Sequence, residues 1–208
     1  LPKAYNVSMS RMKNRVGIYA GTFDPVHSGH ITFALEAMDR ANLDFVYFLP
    51  ERKPRHKQGV EHFGHRVAMI SRAIKPHPQF SVLELNDISF NMDRTLPALY
   101  NKFPDSQLAF LFGSDAIEYL PEWPMSGRML ESNELIVGIR ASDKISAIEA
   151  RVKKWQTQPR AITVFNSFAP EVSSRAVREA LRTQTHADGA LSSVKRYSVQ
   201  NWLYVSVS

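Results

Sequence analysis

At 208 residues the chain is long enough to bury one well-formed core, and 44% hydrophobic with 22% charged residues is the balance of a folded globular domain. No apolar run reaches the roughly 20 residues that span a bilayer, and the absence of cysteine excludes disulfides, thiolate-bound zinc and a cysteine nucleophile. The formal net charge of +6 admits an anionic small molecule, a membrane surface or a nucleic acid as partner.

Residues 1–15 are polar and basic without the apolar core of a secretory signal, so they are expected to extend a single domain over residues 16–208 of a cytoplasmic protein. In chain order the pattern then alternates. A strand is expected over 16–20, a helix over 29–41 and a second strand over 45–49, whose unbroken apolar character suits a parallel sheet covered on both faces. The densest basic patch, Arg52-Lys53-Pro54-Arg55-His56-Lys57, follows this strand. It has no interleaved aromatics, which disfavours single-strand nucleic-acid binding and leaves a solvated loop or one that contacts phosphate.

A helix over 63–74 is stopped by the prolines at 76 and 78. Beyond it the chain reads as strand 80–85, helix 95–102, strand 107–112 ending at Gly113, and a helical turn over 116–120 before a proline break. The remainder reads as strand 135–140, helix 145–155, strand 162–165, helix 174–181 capped by Ser173, and a last helix over 192–204. Strands alternating with helices through right-handed crossovers predict an α/β fold, a doubly wound, mostly parallel sheet whose ligands sit at the carboxyl ends of the strands.

Three segments fall at that edge. In Gly21-Thr22-Phe23-Asp24-Pro25-Val26-His27-Ser28-Gly29-His30 a buried strand runs through a glycine turn into a helix start, which makes an anion site of backbone N–H groups and helix dipole. Gly21 allows close approach to a phosphate and Thr22 offers a hydroxyl. Asp24 either braces the turn or meets a ligand. His27 and His30, at i and i+3, share one face of the helix start, where they serve phosphate chemistry better than a metal, since no third ligand is evident. The turn lacks the Gly-x-Gly-x-x-Gly fingerprint and is not a Walker loop, which disfavours hydride transfer. The second segment is Gly113-Ser114-Asp115. The third is Ser173-Ser174-Arg175-Ala176-Val177-Arg178, where a helix start, hydroxyls and a guanidinium could hold a polyphosphate, although a plain capped surface helix has the same look.

Together these residues resemble the nucleotidyltransferase family marked by an (H/T)xGH signature, its mononucleotide adenylyltransferase branch above all. The stretch from Gly21 to His30 matches the first motif almost letter for letter. Pro54-Arg55-His56-Lys57 is similar to the family's Pro-Pro-His-Lys loop, and His65-Arg66 to a His-Arg pair. Gly113-Ser114-Asp115-Ala116 with Trp123 is similar to its Gly-Ala-Asp…Trp segment, Arg140 to an arginine after a strand, residues 173–178 to Ser-Ser-Thr-x-Ile-Arg, and residues 197–204 to a closing Tyr…Leu-Tyr helix. Two departures stand out. Arg175 replaces the motif's threonine, and Asn91-Met92-Asp93-Arg94-Thr95 keeps only the last threonine of the family's Tyr-Thr-x-Asp-Thr.

The resemblance implies transfer of AMP from ATP to the phosphate of a pyridine mononucleotide, with Mg²⁺ accompanying the nucleotide and no nucleic-acid or membrane partner. It implies an ATP site of Gly21, Thr22, Phe23, His27, His30, Gly113, Asp115, Ser173, Ser174 and Arg178, with His27 and His30 catalytic. It further implies that Lys57, Thr95, Trp123 and Arg140 contact substrate. A relative with another phosphorylated acceptor, such as phosphopantetheine or a CTP-dependent phospho-alcohol enzyme, and a non-catalytic nucleotide-binding member are the alternatives. The sequence leaves the oligomeric state open.

Overall fold

Central strands of a parallel sheet must be apolar on both faces, and this chain's strands meet that demand by alternating between two cores. The strands are β1 (Asn14–Gly21), β2 (Phe45–Pro50), β3 (Phe80–Val82), β4 (Ser106–Gly113), β5 (Glu134–Ile139) and β6 (Ala161–Asn166). They form one six-stranded sheet in the order β3-β2-β1-β4-β5-β6, every pair parallel. In β4, Leu108, Phe110 and Phe112 enter one core while Ala109 and Leu111 enter the other. The helices are α1 (Ser28–Arg40), α2 (Phe63–Ile74), α3 (Met92–Lys102), α4 (Ser126–Ser132), α5 (Ile145–Val152), α6 (Ser174–Thr183) and α7 (Ser192–Gln200). α1, α2 and α7 cover the face of Ala109 and Leu111, and α3, α4 and α5 cover the other. This is the doubly wound, single-domain α/β fold expected.

The computed structural model describes residues 13–54, 57–87, 90–139, 143–168, 172–186 and 188–205. Most of the N-terminal extension, Arg55, His56 and Arg140 lie outside the described residues. β1 starts at Asn14, two residues ahead of the expected strand, because Asn14 and Arg15 pair with Ser106 and Gln107 of β4. β3 ends at Val82 rather than residue 85, as befits an edge strand with one neighbour. α3 starts at Met92 instead of Thr95 because the Asn91 side chain caps it, accepting the Asp93 N–H at 2.9 Å. α4 was absent from the expected elements. It is short, contains Gly127 and follows two prolines, so only the burial of Met129 and Leu130 secures it. α5 ends at Val152 and α7 at Gln200, and beyond α7 the left-handed residues Trp202 (φ 54°) and Tyr204 (φ 60°) turn the chain back toward the sheet.

The chain leaves β1 toward β2 and β3 on one side and returns to β4 on the other. A crevice therefore opens between the loops after β1 and β4, the usual ligand position in an open parallel sheet. One residue of α2 and one of the C-terminal segment hold the turn at its base. Arg66 is wholly buried, with 0% of its surface exposed. Its guanidinium donates to four backbone carbonyls, those of Thr22 (2.7 Å), Glu51 (2.6 Å), Arg52 (3.0 Å) and Glu61 (3.0 Å). Burial pulls its pKa below the ordinary arginine value, while Asp24, Tyr204 and Glu51 pull it back up. Tyr204 donates its hydroxyl to Asp24 Oδ1 at 2.7 Å.

Arg66→Met removes the shared donor from four carbonyls, so unfolding free energy should fall by about 3 kcal/mol or more, read from urea midpoints. A second expectation concerns alkaline stability. The Tyr204 phenol ionises near 10.0 in the unfolded chain, and burial and the Asp24 carboxylate push it well above that in the fold. The folded state thus keeps a proton that the unfolded state loses, and stability that is whole below pH 10.0 declines as pH rises past it. Tyr204→Phe should flatten that decline in denaturation midpoints taken between about pH 8 and 11.

Candidate active site

The crevice divides into two cavities, of about 330 and about 580 Å³, on either side of the β1 turn. The smaller is polar and cationic. Its walls include His27, Gly29 and His30 from the start of α1, Lys57 from the basic loop, Gly113 and Asp115 after β4, and Ser173 and Ser174 at the start of α6. Two helix N-termini, two imidazoles, an ammonium and two hydroxyls thus face one space, the donor set of a site for a chain of phosphates.

The histidine pair is built by the helix start. His27 is the N-cap of α1 in extended conformation, and its backbone N–H donates to His30 Nδ1 at 3.1 Å. A ring nitrogen that accepts carries no proton, so a neutral His30 has its proton on Nε2. The two rings lie against each other with centroids 3.7 Å apart and planes inclined by 38°. Beneath them Phe23 lies edge-on to His30 at 5.0 Å and to Tyr19 at 5.3 Å, buried and with φ 51°. Gly21 makes room for that ring, since a Cβ there would stand 3.0 Å from Phe23 Cζ. In the same way Gly138 of β5 admits Phe33 of α1 onto the cavity wall, where a Cβ would meet the ring at 2.5 Å. The Lys57 ammonium donates to Thr22 Oγ1 at 2.9 Å, which brings the basic loop across the turn.

Asp24 braces the turn. It is 4% exposed, accepts from Tyr204, and lies 3.7 Å from Arg178 Nη1 through Oδ2. Arg178 Nη1 also donates to the Asp24 carbonyl at 2.5 Å, and Ser174 Oγ donates to the Pro25 carbonyl at 2.9 Å. Arg178 therefore joins the site through the turn and does not line the cavity wall. Ser173 Oγ accepts the Ala176 N–H as the α6 cap, and Arg175 is exposed.

The larger cavity is more apolar. Gly21 and Glu51 form one wall, Phe90, Asn91 and Met92 a second, and Tyr119, Glu122 and Trp123 a third. Trp123 stands edge-on to Phe90 at 6.1 Å and to Phe112 at 5.8 Å, and Glu51 Oε1 accepts the Phe90 N–H at 3.0 Å. Thr95 is not on this wall. It is buried, donates to Asp87 Oδ2 and accepts the Asn91 N–H, and so supports Asn91, which does face the space. Glu51, Phe90, Tyr119 and Glu122 carry no local signal, because they come from the segments after β2, β3 and β4, which only the sheet brings together.

Among the described residues no three His, Cys, Asp or Glu side chains gather as a metal cluster. The smaller cavity's donors suit phosphate oxygens, and with Asp115 as the one carboxylate among its described lining residues the site fits a Mg²⁺ ion carried mainly on the nucleotide's own oxygens and water.

Residues 18–180 match the family described as cytidylyltransferase-like. Nicotinate-nucleotide adenylyltransferase of Bacillus subtilis is 32% identical over 203 residues, covering 92% of this chain and 99% of that protein. A protein named probable nicotinate-nucleotide adenylyltransferase from Bacillus pumilus is 30% identical over the same shares. In structure the chain resembles the Plasmodium falciparum nicotinic acid mononucleotide adenylyltransferase. The form complexed with NaAD superposes with a TM-score of 0.75 at 19% identity, and that complexed with APC with 0.74 at 18%; each pairing spans 92% of this chain and 97% of the other. With (H/T)xGH histidines at a helix start beside a phosphate-shaped cavity, and relatives matching along nearly its whole length, the chain belongs to the cytidylyltransferase-like family, among the nicotinate-nucleotide adenylyltransferases.

Proposed function

We propose that this protein transfers AMP from ATP to nicotinate mononucleotide, forming the dinucleotide and pyrophosphate in NAD biosynthesis. The observation that carries the reading is the close pair of His27 and His30 at the start of α1, on the wall of a cavity that also collects Lys57, Ser173 and Ser174. ATP lies in the smaller cavity and the mononucleotide in the larger, with Trp123 and Phe90 against the ring. Arg140 takes part in acceptor binding on the strength of its motif alone. The use of ATP as substrate supports a cytoplasmic setting.

The reaction is an in-line displacement. An oxygen of the mononucleotide phosphate forms a bond to the α-phosphorus of ATP, the bond from that phosphorus to the α–β bridging oxygen breaks, and its electron pair leaves with pyrophosphate. No group on the protein need be adenylylated, so catalysis is positioning and stabilisation of spread negative charge. His30, held with Nε2–H outward by the His27 N–H, donates to an α-phosphate oxygen, and His27 assists from the neighbouring ring. Lys57, Arg178 and the N–H groups at the start of α6, that of Ser174 among them, hold the β and γ phosphates, and Gly113 and Asp115 shape the nucleoside end. Mg²⁺ bound to the phosphates supplies further neutralisation of the leaving pyrophosphate.

Incubation with ATP, Mg²⁺ and each candidate acceptor, followed by pyrophosphate release, tests the reading. Turnover is expected with nicotinate mononucleotide; turnover with phosphopantetheine alone, or ATP binding with no turnover on any acceptor, overturns it. His30→Ala should lower kcat by about two to four orders of magnitude, the usual loss for one preorganised donor to developing charge. Trp123→Ala should raise KM for the mononucleotide about tenfold while that for ATP moves less than about twofold, since it removes an aromatic wall from one cavity only.

A further inference from the structure

We propose that Tyr204 is a positioning residue for nucleotide binding, acting through Asp24 to hold the Arg178 guanidinium available to phosphate. The inference rests on the adenylyltransferase reading of the site and extends it to a residue that touches neither cavity.

The turn from Thr22 to the start of α1 has no strand pairing of its own, and its parts are held by α2, by α6 and by the loop before α7. Arg66 takes the Thr22 carbonyl, Arg178 the Asp24 carbonyl and Ser174 the Pro25 carbonyl, and the Ser28 N–H donates to the Gly189 carbonyl. His27 sits between the last two of these anchors. The Asp24 carboxylate points inward rather than at ligand, and its two oxygens divide between two partners: Oδ1 accepts from Tyr204 at 2.7 Å, and Oδ2 lies 3.7 Å from Arg178. The second distance is long for a charge-assisted hydrogen bond, which would close to about 2.8 Å. Arg178 is thus hydrogen-bonded to the Asp24 carbonyl but not closed on its carboxylate, and 37% of its side chain remains exposed.

The Tyr204 hydroxyl keeps that balance. By occupying Oδ1 it fixes the carboxylate plane and takes up part of its accepting capacity. Without the hydroxyl the buried carboxylate has Arg178 as its nearest donor, and the two would close into a bidentate pair, the geometry that arginine and carboxylate favour. That pair withdraws a cation from the phosphates. The cost of placing Tyr204 here points the same way: Trp202 and Tyr204 both adopt left-handed φ, a conformation unfavourable for residues with a Cβ and kept where surrounding contacts demand it.

The experiment compares wild type and Tyr204→Phe by calorimetric titration with ATP and, separately, with nicotinate mononucleotide, alongside kcat and KM. The ATP dissociation constant should rise about tenfold, with mononucleotide affinity changed less than about twofold. In an Asp24→Asn background, where no carboxylate competes for Arg178, Tyr204→Phe should add less than about twofold. If Asp24→Asn does not fold, the cycle is closed with Arg178→Ala, in which Tyr204→Phe should likewise add little. Unchanged ATP affinity in Tyr204→Phe, equal weakening of both ligands, or full additivity in the cycle overturns the proposal. Wild type that binds ATP but turns over no acceptor defeats the functional reading instead and leaves the ATP titrations to decide this one.

Discussion

Everything at this site depends on how the six residues between the end of β1 and the start of α1 are held, since they carry His27, lead straight into the first turn of α1 that carries His30, and lie outside any ladder of the sheet. An isolated turn of this kind would sample many conformations at a cost of about 1–2 kcal/mol of backbone entropy per residue fixed. The protein meets that cost with donors brought from far along the chain. Arg66 is the chief of them: a single planar guanidinium binds carbonyls from the β1 turn, the end of β2 and the segment before α2. Its five fixed donors suit a place where several chain segments converge on their carbonyl ends, and a lysine, with three donors on a point charge, could not reach them all.

The two cavities follow from the order of the strands. Because β1 and β4 are neighbours while the chain departs in opposite directions from them, the loops after these strands part and leave the β1 turn as a ridge between two spaces. The cationic space takes its character from helix starts and basic side chains, and the apolar one from aromatic residues packed edge to edge. A reaction that joins two nucleotides needs such a division, with each substrate in its own chemistry and the reacting phosphates meeting over the ridge. In the proposed reaction the histidines stand where that meeting occurs, and the His30 ring accepts from the His27 backbone N–H.

Several site residues were legible from sequence because their signals are local. Gly21 to His30 is one continuous segment in which a strand, a turn and a helix start follow each other, and Ser173 and Ser174 announce a second helix start; the structure brings both to one cavity. Other expectations met a different geometry. Thr95 has the right residue type but its hydroxyl is spent on Asp87 and the α3 cap, and Arg178 reaches the site by way of Asp24. The apolar cavity was the least legible part, for Glu51, Phe90, Tyr119 and Glu122 are isolated in sequence and acquire a common purpose only when the loops after β2, β3 and β4 converge.

By itself, then, the sequence determined what short-range chemistry can determine: the alternation of strand and helix, through continuous apolar runs broken by prolines and caps, and the phosphate-binding turn, through glycine and histidine spacing. Only the tertiary structure decided which distant groups meet. Nothing near Asp24 foretells that its carboxylate is satisfied by a tyrosine 180 residues later, or that Arg66 is buried rather than solvated. The physical reason is that a buried polar group must find a partner, while the partner's identity is fixed by packing, through contacts that leave no periodicity in the chain.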